Sequence, residues 1–237
     1  MSLIALAAIL TTANAPMTSA TVQAPAIYSN EEQIYFEQEA GKKPPPWIGV
    51  IIAPNPSEGS NVPFVLAFVD AFGTRLWPPA PYAEIASQLG PHPKGEQITV
   101  QLGGRTIELR RARPASCWVA IPKKQSKPDG RPDWHFVRDV KLHDQGGRAL
   151  IGGGPSGTDA VVIRMRNVVW PPSPGGKASA NKPSIVLYVH KPDQPDRAES
   201  YVWADPGASR IGINLRWVQA SCTIGVAEAP SKFTFRG

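Results

Sequence analysis

The stretch Gln97–Arg110, QITVQLGGRTIELR, decides the fold class, because it carries the clearest β-hairpin signal in the chain. Apolar residues alternate with polar ones on both sides of Gly103-Gly104, at Ile98, Val100, Leu102, Ile107 and Leu109. Two glycines between alternating runs are typical of a tight turn whose residues have positive φ. We therefore expect Gln97–Leu102 and Arg105–Arg110 to pair as antiparallel strands.

Strand patterns continue on both sides of this hairpin. The predicted strands are Trp47–Ala53, Val62–Phe72, Ser116–Ile121, Trp134–His143, Ala149–Ile151, Ala160–Trp170, Ser184–His190, Glu199–Ala204 and Arg210–Cys222. The chain also contains 26 prolines, which break helix interiors and the middles of sheets. Many short strands separated by turn signals predict an all-β protein. We expect an antiparallel β-sandwich of jelly-roll or Ig-like type.

Helical patterning is strongest in residues 79–89. Pro81 suits a first helical turn, and Ile85, Ala86 and Leu89 share one face. Glu31–Glu39 is compatible with either a short strand or one helical turn. We expect residues 16–46 to form a flexible or extended arm with a proline-rich spacer, and residues 47–237 to form a single β-sandwich domain.

The first fifteen residues, MSLIALAAILTTANA, have the pattern of a secretory signal peptide. An apolar run from Leu3 to Leu10 precedes the small residues Ala13 and Ala15, although no Lys or Arg stands before the run. Eight apolar residues are too few for a membrane span, which needs roughly 20. The chain is thus predicted to be secreted or periplasmic, with residues 1–15 removed and without a transmembrane segment. The alternative is an apolar N-terminal strand or helix of a cytosolic protein.

Two cysteines, Cys117 and Cys222, are present. In an oxidising compartment such a pair most often forms one disulfide. Neither cysteine has a second Cys or a His at ligand spacing, so a metal site is not predicted. We expect the strands that carry the two cysteines to lie close together, either as neighbours or across the sandwich.

Charge and glycine patterns narrow the range of partners. The formal charge is +6, but the basic residues are scattered and lack the interleaved aromatic residues of a nucleic-acid surface. Gly152–Gly157 lacks the Gly-Lys-Ser/Thr ending of a phosphate-binding loop, and a strand rather than a helix follows it. We therefore predict no nucleic-acid partner and no cofactor.

Seven tryptophans supply the main candidates for ligand binding. Trp77 and Trp170 each precede Pro-Pro, so they lie at strand exits where a side chain can be exposed. Trp134 opens a strand-like segment. Aromatic side chains on a β-sheet commonly bind sugar rings, but they are also large core residues. Trp217 fits the core, because it shares an alternating face with Ile211, Ile213 and Leu215.

Three polar residues, His135, Asp139 and His143, fall on one face if Trp134–His143 is a single strand. The two histidines would then be roughly 26 Å apart, which is too far for one metal ion or one proton transfer. Trp77, Trp134, Trp170, His135 and Asp139 remain as ligand-binding candidates. No catalytic set is identified.

Three functional classes fit these features. The favoured one is a non-enzymatic exported binding or structural module, with polysaccharide as its most concrete ligand. The second is an extracellular polysaccharide hydrolase or lyase that uses carboxylates or histidines. The third is an envelope or filament assembly subunit that pairs with another envelope protein through strand edges. A flat face with exposed tryptophan would favour the first class, and a deep cleft with converging carboxylates the second.

Overall fold

The computed structural model describes residues 25–55, 64–76, 80–89, 95–170, 182–194 and 197–225. Two α-helices occur in these segments, α1 (Glu31–Glu39) and α2 (Ala80–Gln88), together with a short 3-10 helix (Gly154–Ser156). The strands are β1 (Ala26–Ser29), β2 (Gly49–Pro54), β3 (Phe64–Val69), β4 (Arg75–Leu76), β5 (Gln97–Leu102), β6 (Arg105–Arg111), β7 (Pro114–Pro122), β8 (Trp134–His143), β9 (Gln145–Gly152), β10 (Ala160–Trp170), β11 (Lys182–His190), β12 (Ala198–Ala204), β13 (Arg210–Asn214) and β14 (Gln219–Ile224). The signal-peptide prediction for residues 1–15 lies outside the described residues.

The described strands form three antiparallel sheets, with the orders β4-β3-β2-β1-β6-β5, β12-β11-β10-β9 and β13-β14-β7-β8. This confirms a mostly β, antiparallel fold. The jelly-roll or Ig-like type is not confirmed, because the sheets are several and not closed. No described helix has the length and apolar character that crossing a membrane would need.

The predicted hairpin is confirmed. β5 and β6 pair antiparallel from Gln97↔Arg110 to Leu102↔Arg105. Gly103 and Gly104 have φ values of 57° and 76°, a combination that residues other than glycine adopt only at a cost. The inward side chains of this hairpin, Val100, Ile107 and Leu109, are buried in the hydrophobic cluster of the six-stranded sheet.

The predicted helix in residues 79–89 is confirmed as α2, and it covers the six-stranded sheet. Ile85 of α2 and Leu89, directly after the helix, are buried in the same cluster as Val50 and Phe68 of that sheet. The 3.6-residue spacing places one apolar face of the helix against the sheet.

The second hydrophobic cluster lies between the two four-stranded sheets. It joins inward residues of β7, β8, β13 and β14 with inward residues of β9, β10 and β11. Cys117 and Cys222 lie within this cluster, opposite each other on the neighbouring strands β7 and β14. Their Cα atoms are 4.0 Å apart and the disulfide is formed, which confirms the predicted pairing.

The structure describes residues 25–46 of the segment that was expected to form an arm. Ala26–Ser29 pairs with both β2 and β6, so it is an interior strand of the six-stranded sheet. Glu31–Glu39 is a nine-residue helix, a second helix that apolar periodicity did not reveal. α1 lacks a continuous apolar face. It is attached to the protein instead by ion pairs of Glu31, a buried glutamate in its first turn.

The stretch Arg210–Cys222 is corrected. It forms two strands, β13 and β14, rather than one alternating strand. Trp217 lies between them and is partly exposed, so it does not share the core face of Ile211 and Ile213. A hairpin reverses the chain direction, and the alternation on one side of the turn therefore says nothing about the other side.

Candidate functional site

The outer face of the sheet β13-β14-β7-β8 carries exposed aromatic side chains. Cys117 and Val119 of β7 point into the core, and Trp118 between them is 37% exposed on the opposite face. This follows from the two-residue period of a strand. On β8, Phe136 is 47% exposed and pairs in register with Ala120, two residues beyond Trp118.

The two aromatic rings stack on each other. The ring centroids of Trp118 and Phe136 are 5.3 Å apart, with an angle of 17° between the ring planes. The guanidinium of Arg138 lies 5.1 Å from the Phe136 ring centroid, within the range of a cation–π contact. We name Trp118, Phe136 and Arg138 the aromatic stack. It forms a rigid ridge of planar groups on an exposed sheet face.

Polar residues lie next to the aromatic stack. Ser221 of β14 is opposite Trp118, and Gln219 is opposite Ala120. One strand further, Asn214 of β13 is opposite Gln219. The alternation of the strands assigns these residues to the outer face, since their chain neighbours Ile213, Ala220 and Cys222 are core residues. The face thus combines aromatic surface with hydroxyl and amide groups.

Only part of the predicted ligand-binding set belongs to this face. Trp134 is two residues before Phe136 on β8 and is half-buried, so it shares the outer face. His135 pairs with Ile121 and lies on the other face. The backbone of Trp170 pairs with Lys182 at the end of β10, in a different sheet. Trp77 lies outside the described residues.

A register shift breaks the predicted alignment of His135, Asp139 and His143. Between the pairs Cys117↔Val140 and Val119↔Val137, β8 has one more residue than β7. Asp139 falls at this bulge, is exposed and has φ 56°. The bulge reverses the alternation beyond it, so His135 and His143 lie on opposite faces of the strand. Among the described residues there is no group of three His, Cys, Asp or Glu side chains that could hold a metal ion.

Sequence reasoning missed Phe136 and Arg138. Both stand at alternating positions after Trp134, which was the available signal. Their significance depends on pairing with β7, which brings Phe136 to Trp118 across the ladder. Such cross-strand pairs are fixed by register rather than by local sequence.

A second polar feature lies where α1 meets the sheet β12-β11-β10-β9. The carboxylate of Glu31 forms ion pairs with Arg164 and Arg166 of β10. The indole Nε1–H of Trp47 donates a hydrogen bond of 3.1 Å to Glu31. The side chains of both arginines are 11% exposed, and burial lowers the pKa of Arg166 although Glu31 opposes this shift. We name Glu31, Arg164 and Arg166 the buried ion triad.

Gly146 is required beside the buried ion triad. Its φ is +83°, and a Cβ at this position would overlap the carboxylate of Glu31. The residue before Gly146 is also held, because Ser29 Oγ donates a hydrogen bond of 2.8 Å to the backbone oxygen of Gln145. The close approach of backbone to carboxylate therefore explains a glycine that a β-strand would otherwise disfavour.

A cleft of about 520 Å³ opens next to the buried ion triad. Two of its carboxylates are held by arginines, with Arg113 Nε 2.6 Å from Asp144 Oδ2 and Arg110 Nε 2.7 Å from Glu32 Oε2. Asp144 also accepts a hydrogen bond of 2.8 Å from the backbone N–H of Arg113. These contacts hold the carboxylates of Asp144 and Glu32 in place. We name this space the junction cleft.

His143 is buried at the end of β8. Burial lowers the pKa of His143 from 6.5 to about 4, although the carboxylates of Asp144 and Glu31 oppose the shift. The imidazole is therefore neutral in the folded protein at pH 7, and the unfolded chain takes up a proton at a higher pH than the folded one.

Acidification should accordingly destabilise the protein through His143. The resulting loss of unfolding free energy is absent above about pH 6.5. It grows as the pH falls toward 4, where it reaches about 3 kcal/mol. Urea unfolding at pH 7 and pH 4.5 measures this loss. His143→Gln should lose less stability between the two pH values than the wild type, whereas His135→Gln should behave like the wild type. Equal pH dependence in all three proteins would contradict the assignment.

Comparison with known proteins gives no relatives. No family model, curated protein or solved structure matches the chain.

Proposed function

We propose that the protein is a non-enzymatic binding module that acts in the periplasm or outside the cell and binds polysaccharide on the outer face of the sheet β13-β14-β7-β8. The aromatic stack carries this proposal. Its rings are exposed, stack on each other and stand on neighbouring strands of a sheet. Sites built on strands hold their side chains more accurately than sites on loops.

Sugar rings suit such a face for two reasons. Their C–H faces are apolar and pack on aromatic rings, while their hydroxyl groups need hydrogen-bond partners at the edges. Ser221, Gln219 and Asn214 supply those partners next to Trp118 in the strand register. A planar guanidinium on Phe136 adds further donors through Arg138.

The two alternative functions have less support. A hydrolase or lyase needs carboxylates free to transfer protons, whereas two of the three carboxylates in the described lining of the junction cleft, Asp144 and Glu32, are paired with arginines. Assembly through a strand edge has no observation in its favour that is comparable to the aromatic stack. We also retain the sandwich interpretation for the two four-stranded sheets, because one hydrophobic cluster joins them.

Export is proposed on two features. The disulfide Cys117–Cys222 is formed, and disulfides persist mainly in oxidising compartments. The first fifteen residues have the pattern of a secretory signal peptide.

Removal of either ring of the aromatic stack should weaken polysaccharide binding. Trp118→Ala and Phe136→Ala should each lower the affinity by about tenfold, because each deletes one stacking surface and leaves the other ring unsupported. Affinity electrophoresis and pull-down with cellulose, chitin, xylan, pectin and alginate measure the effect.

Phe72→Ala is the matched control for this test. Phe72 is a phenylalanine of similar exposure, 45%, that lies in the turn after β3. It should bind like the wild type. Absence of binding to all five polysaccharides, or equal loss in Phe72→Ala, would reject the proposal.

A further inference from the structure

We infer that the polysaccharide bound by this protein is a polyuronate, a polyanion built of sugars that each carry a carboxylate. The inference rests on the proposed function, because it concerns the same outer face of the sheet β13-β14-β7-β8. A row of basic and hydroxyl residues beside the aromatic stack carries it.

This row crosses all four strands of the sheet. Its members pair in register from strand to strand, in the order Lys141, Ser116, Thr223 and Arg210. Each has a core residue next to it in its strand, so the alternation of the strands places all four side chains on the outer face. Lys141 and Arg210 are exposed, and the two hydroxyl residues between them are half-buried. We name these four residues the basic row.

The basic row lies directly beside the aromatic stack. Trp118 follows Ser116 by two residues on β7, so the two sets of side chains are about 7 Å apart along the strand. Arg138 of the aromatic stack adds a third exposed cation. In register with Trp118 stand Ser221 and then Gly212, which are small and leave the face open. A polymer that crosses the strands can therefore pack its rings on the aromatic stack and reach the basic row with its substituents.

The charges of this face favour an anionic ligand. The Lys, Arg, Asp and Glu residues of its four strands are three cations, Arg138, Lys141 and Arg210, and one carboxylate, Asp139 at the bulge of β8. Complementary charge across an interface accelerates association and disfavours partners of like charge. A carboxylate on each sugar supplies the complementary charge and leaves the apolar ring surface available for the aromatic stack.

The spacing of the cations favours a polymer. Lys141 and Arg210 stand three strand intervals apart, roughly 14 Å. Two cations at this distance match charges repeated along a chain better than a single phosphate or sulfate ion. The hydroxyls of Ser116 and Thr223 lie between them in the register and suit the hydroxyl groups of the same chain. Those sugar hydroxyls distinguish a polyuronate from single-stranded nucleic acid, which is also a polyanion with flat rings.

The test compares two forms of one polymer. Polygalacturonate and its fully methyl-esterified form share a backbone and differ in the charge of the carboxyl group. The protein should bind polygalacturonate about tenfold more tightly than the ester at low salt, measured by isothermal titration calorimetry. The difference should shrink as sodium chloride is raised, because salt screens exposed charges.

Two variants each remove one cation of the basic row. Lys141→Gln and Arg210→Gln should each weaken polygalacturonate binding by about threefold to fivefold and leave binding of the ester unchanged. Lys191→Gln is the matched control. Lys191 is an exposed lysine directly after β11, in the other four-stranded sheet, and its replacement changes the net charge equally. This variant should bind both forms like the wild type.

Two further variants change the face in other ways. Asp139→Asn removes the carboxylate and should strengthen polygalacturonate binding by about twofold. Asparagine tolerates the positive φ of this position, so the bulge should be retained. Trp118→Ala should weaken binding of both forms, because contact between rings does not depend on the carboxyl charge.

Three outcomes would overturn the inference while the proposed function stands. They are equal affinity for the two forms, an equal loss of polygalacturonate binding in Lys191→Gln, and binding of single-stranded DNA as tight as that of polygalacturonate. Absence of binding to both forms and to the neutral polysaccharides would reject the proposed function as well.

Discussion

Glu31→Gln should lower the free energy of unfolding by about 3–5 kcal/mol. The substitution keeps the size of the side chain but leaves Arg164 and Arg166 buried without their counter-charge. The hydrogen bond from Trp47 would also lose its charged acceptor. Because the buried ion triad joins α1 to β10, the loss should appear in global unfolding, measured by urea denaturation with tryptophan fluorescence.

Glu37→Gln provides the matched control. Glu37 is on the same helix and also pairs with an arginine, Arg105, but the side chains of that pair are 20% and 40% exposed. Exposed ion pairs contribute about 0–1 kcal/mol, so this variant should be close to the wild type. Equal losses in the two variants would show that burial of Glu31 is not the cause.

Loss of the disulfide should have an effect of similar size. The bond closes a loop with a sequence separation of 105 residues, and in the chain-entropy model it contributes about 5 kcal/mol. Cys117→Ala combined with Cys222→Ala should therefore lower the melting temperature by about 10 °C. Circular dichroism should retain the strand signal, since the core around the two cysteines is large.

The oxidised state itself can be checked by titration of thiols. The unreduced, denatured protein should show no free thiol, because both cysteines are paired. Two free thiols, or a melting temperature unchanged in the double variant, would contradict the assignment. The same result would weaken the argument for an oxidising compartment.

Local sequence patterns predicted the elements that depend only on the residues within them. The hairpin at Gly103-Gly104 needs two positive φ values between alternating runs, and both conditions are visible in a few residues. The long strand Ala160–Trp170 and the helix in residues 79–89 were predicted for the same reason. The disulfide followed from the presence of only two thiols.

Features that depend on distant partners were predicted incompletely or wrongly. A helical turn at Glu31–Glu39 was only one of two alternatives, and the ion pair that attaches α1 joins Glu31 to Arg164, 133 residues away in the chain. The bulge at Asp139 is set by the pairing of β8 with β7, and it moved His135 and His143 to opposite faces. Trp217 lies in the turn between β13 and β14 and is exposed, whereas the sequence pattern placed it in the core.

The sequence by itself determined that the chain is mostly antiparallel β, where its clearest turn lies and which two cysteines pair. Only the tertiary structure decided that Trp118 stacks on Phe136 and that Glu31 neutralises two buried arginines. The physical reason is the range of the interactions. Backbone preferences and side-chain periodicity act over a few residues, whereas strand register and the packing of sheets bring together side chains far apart in the chain.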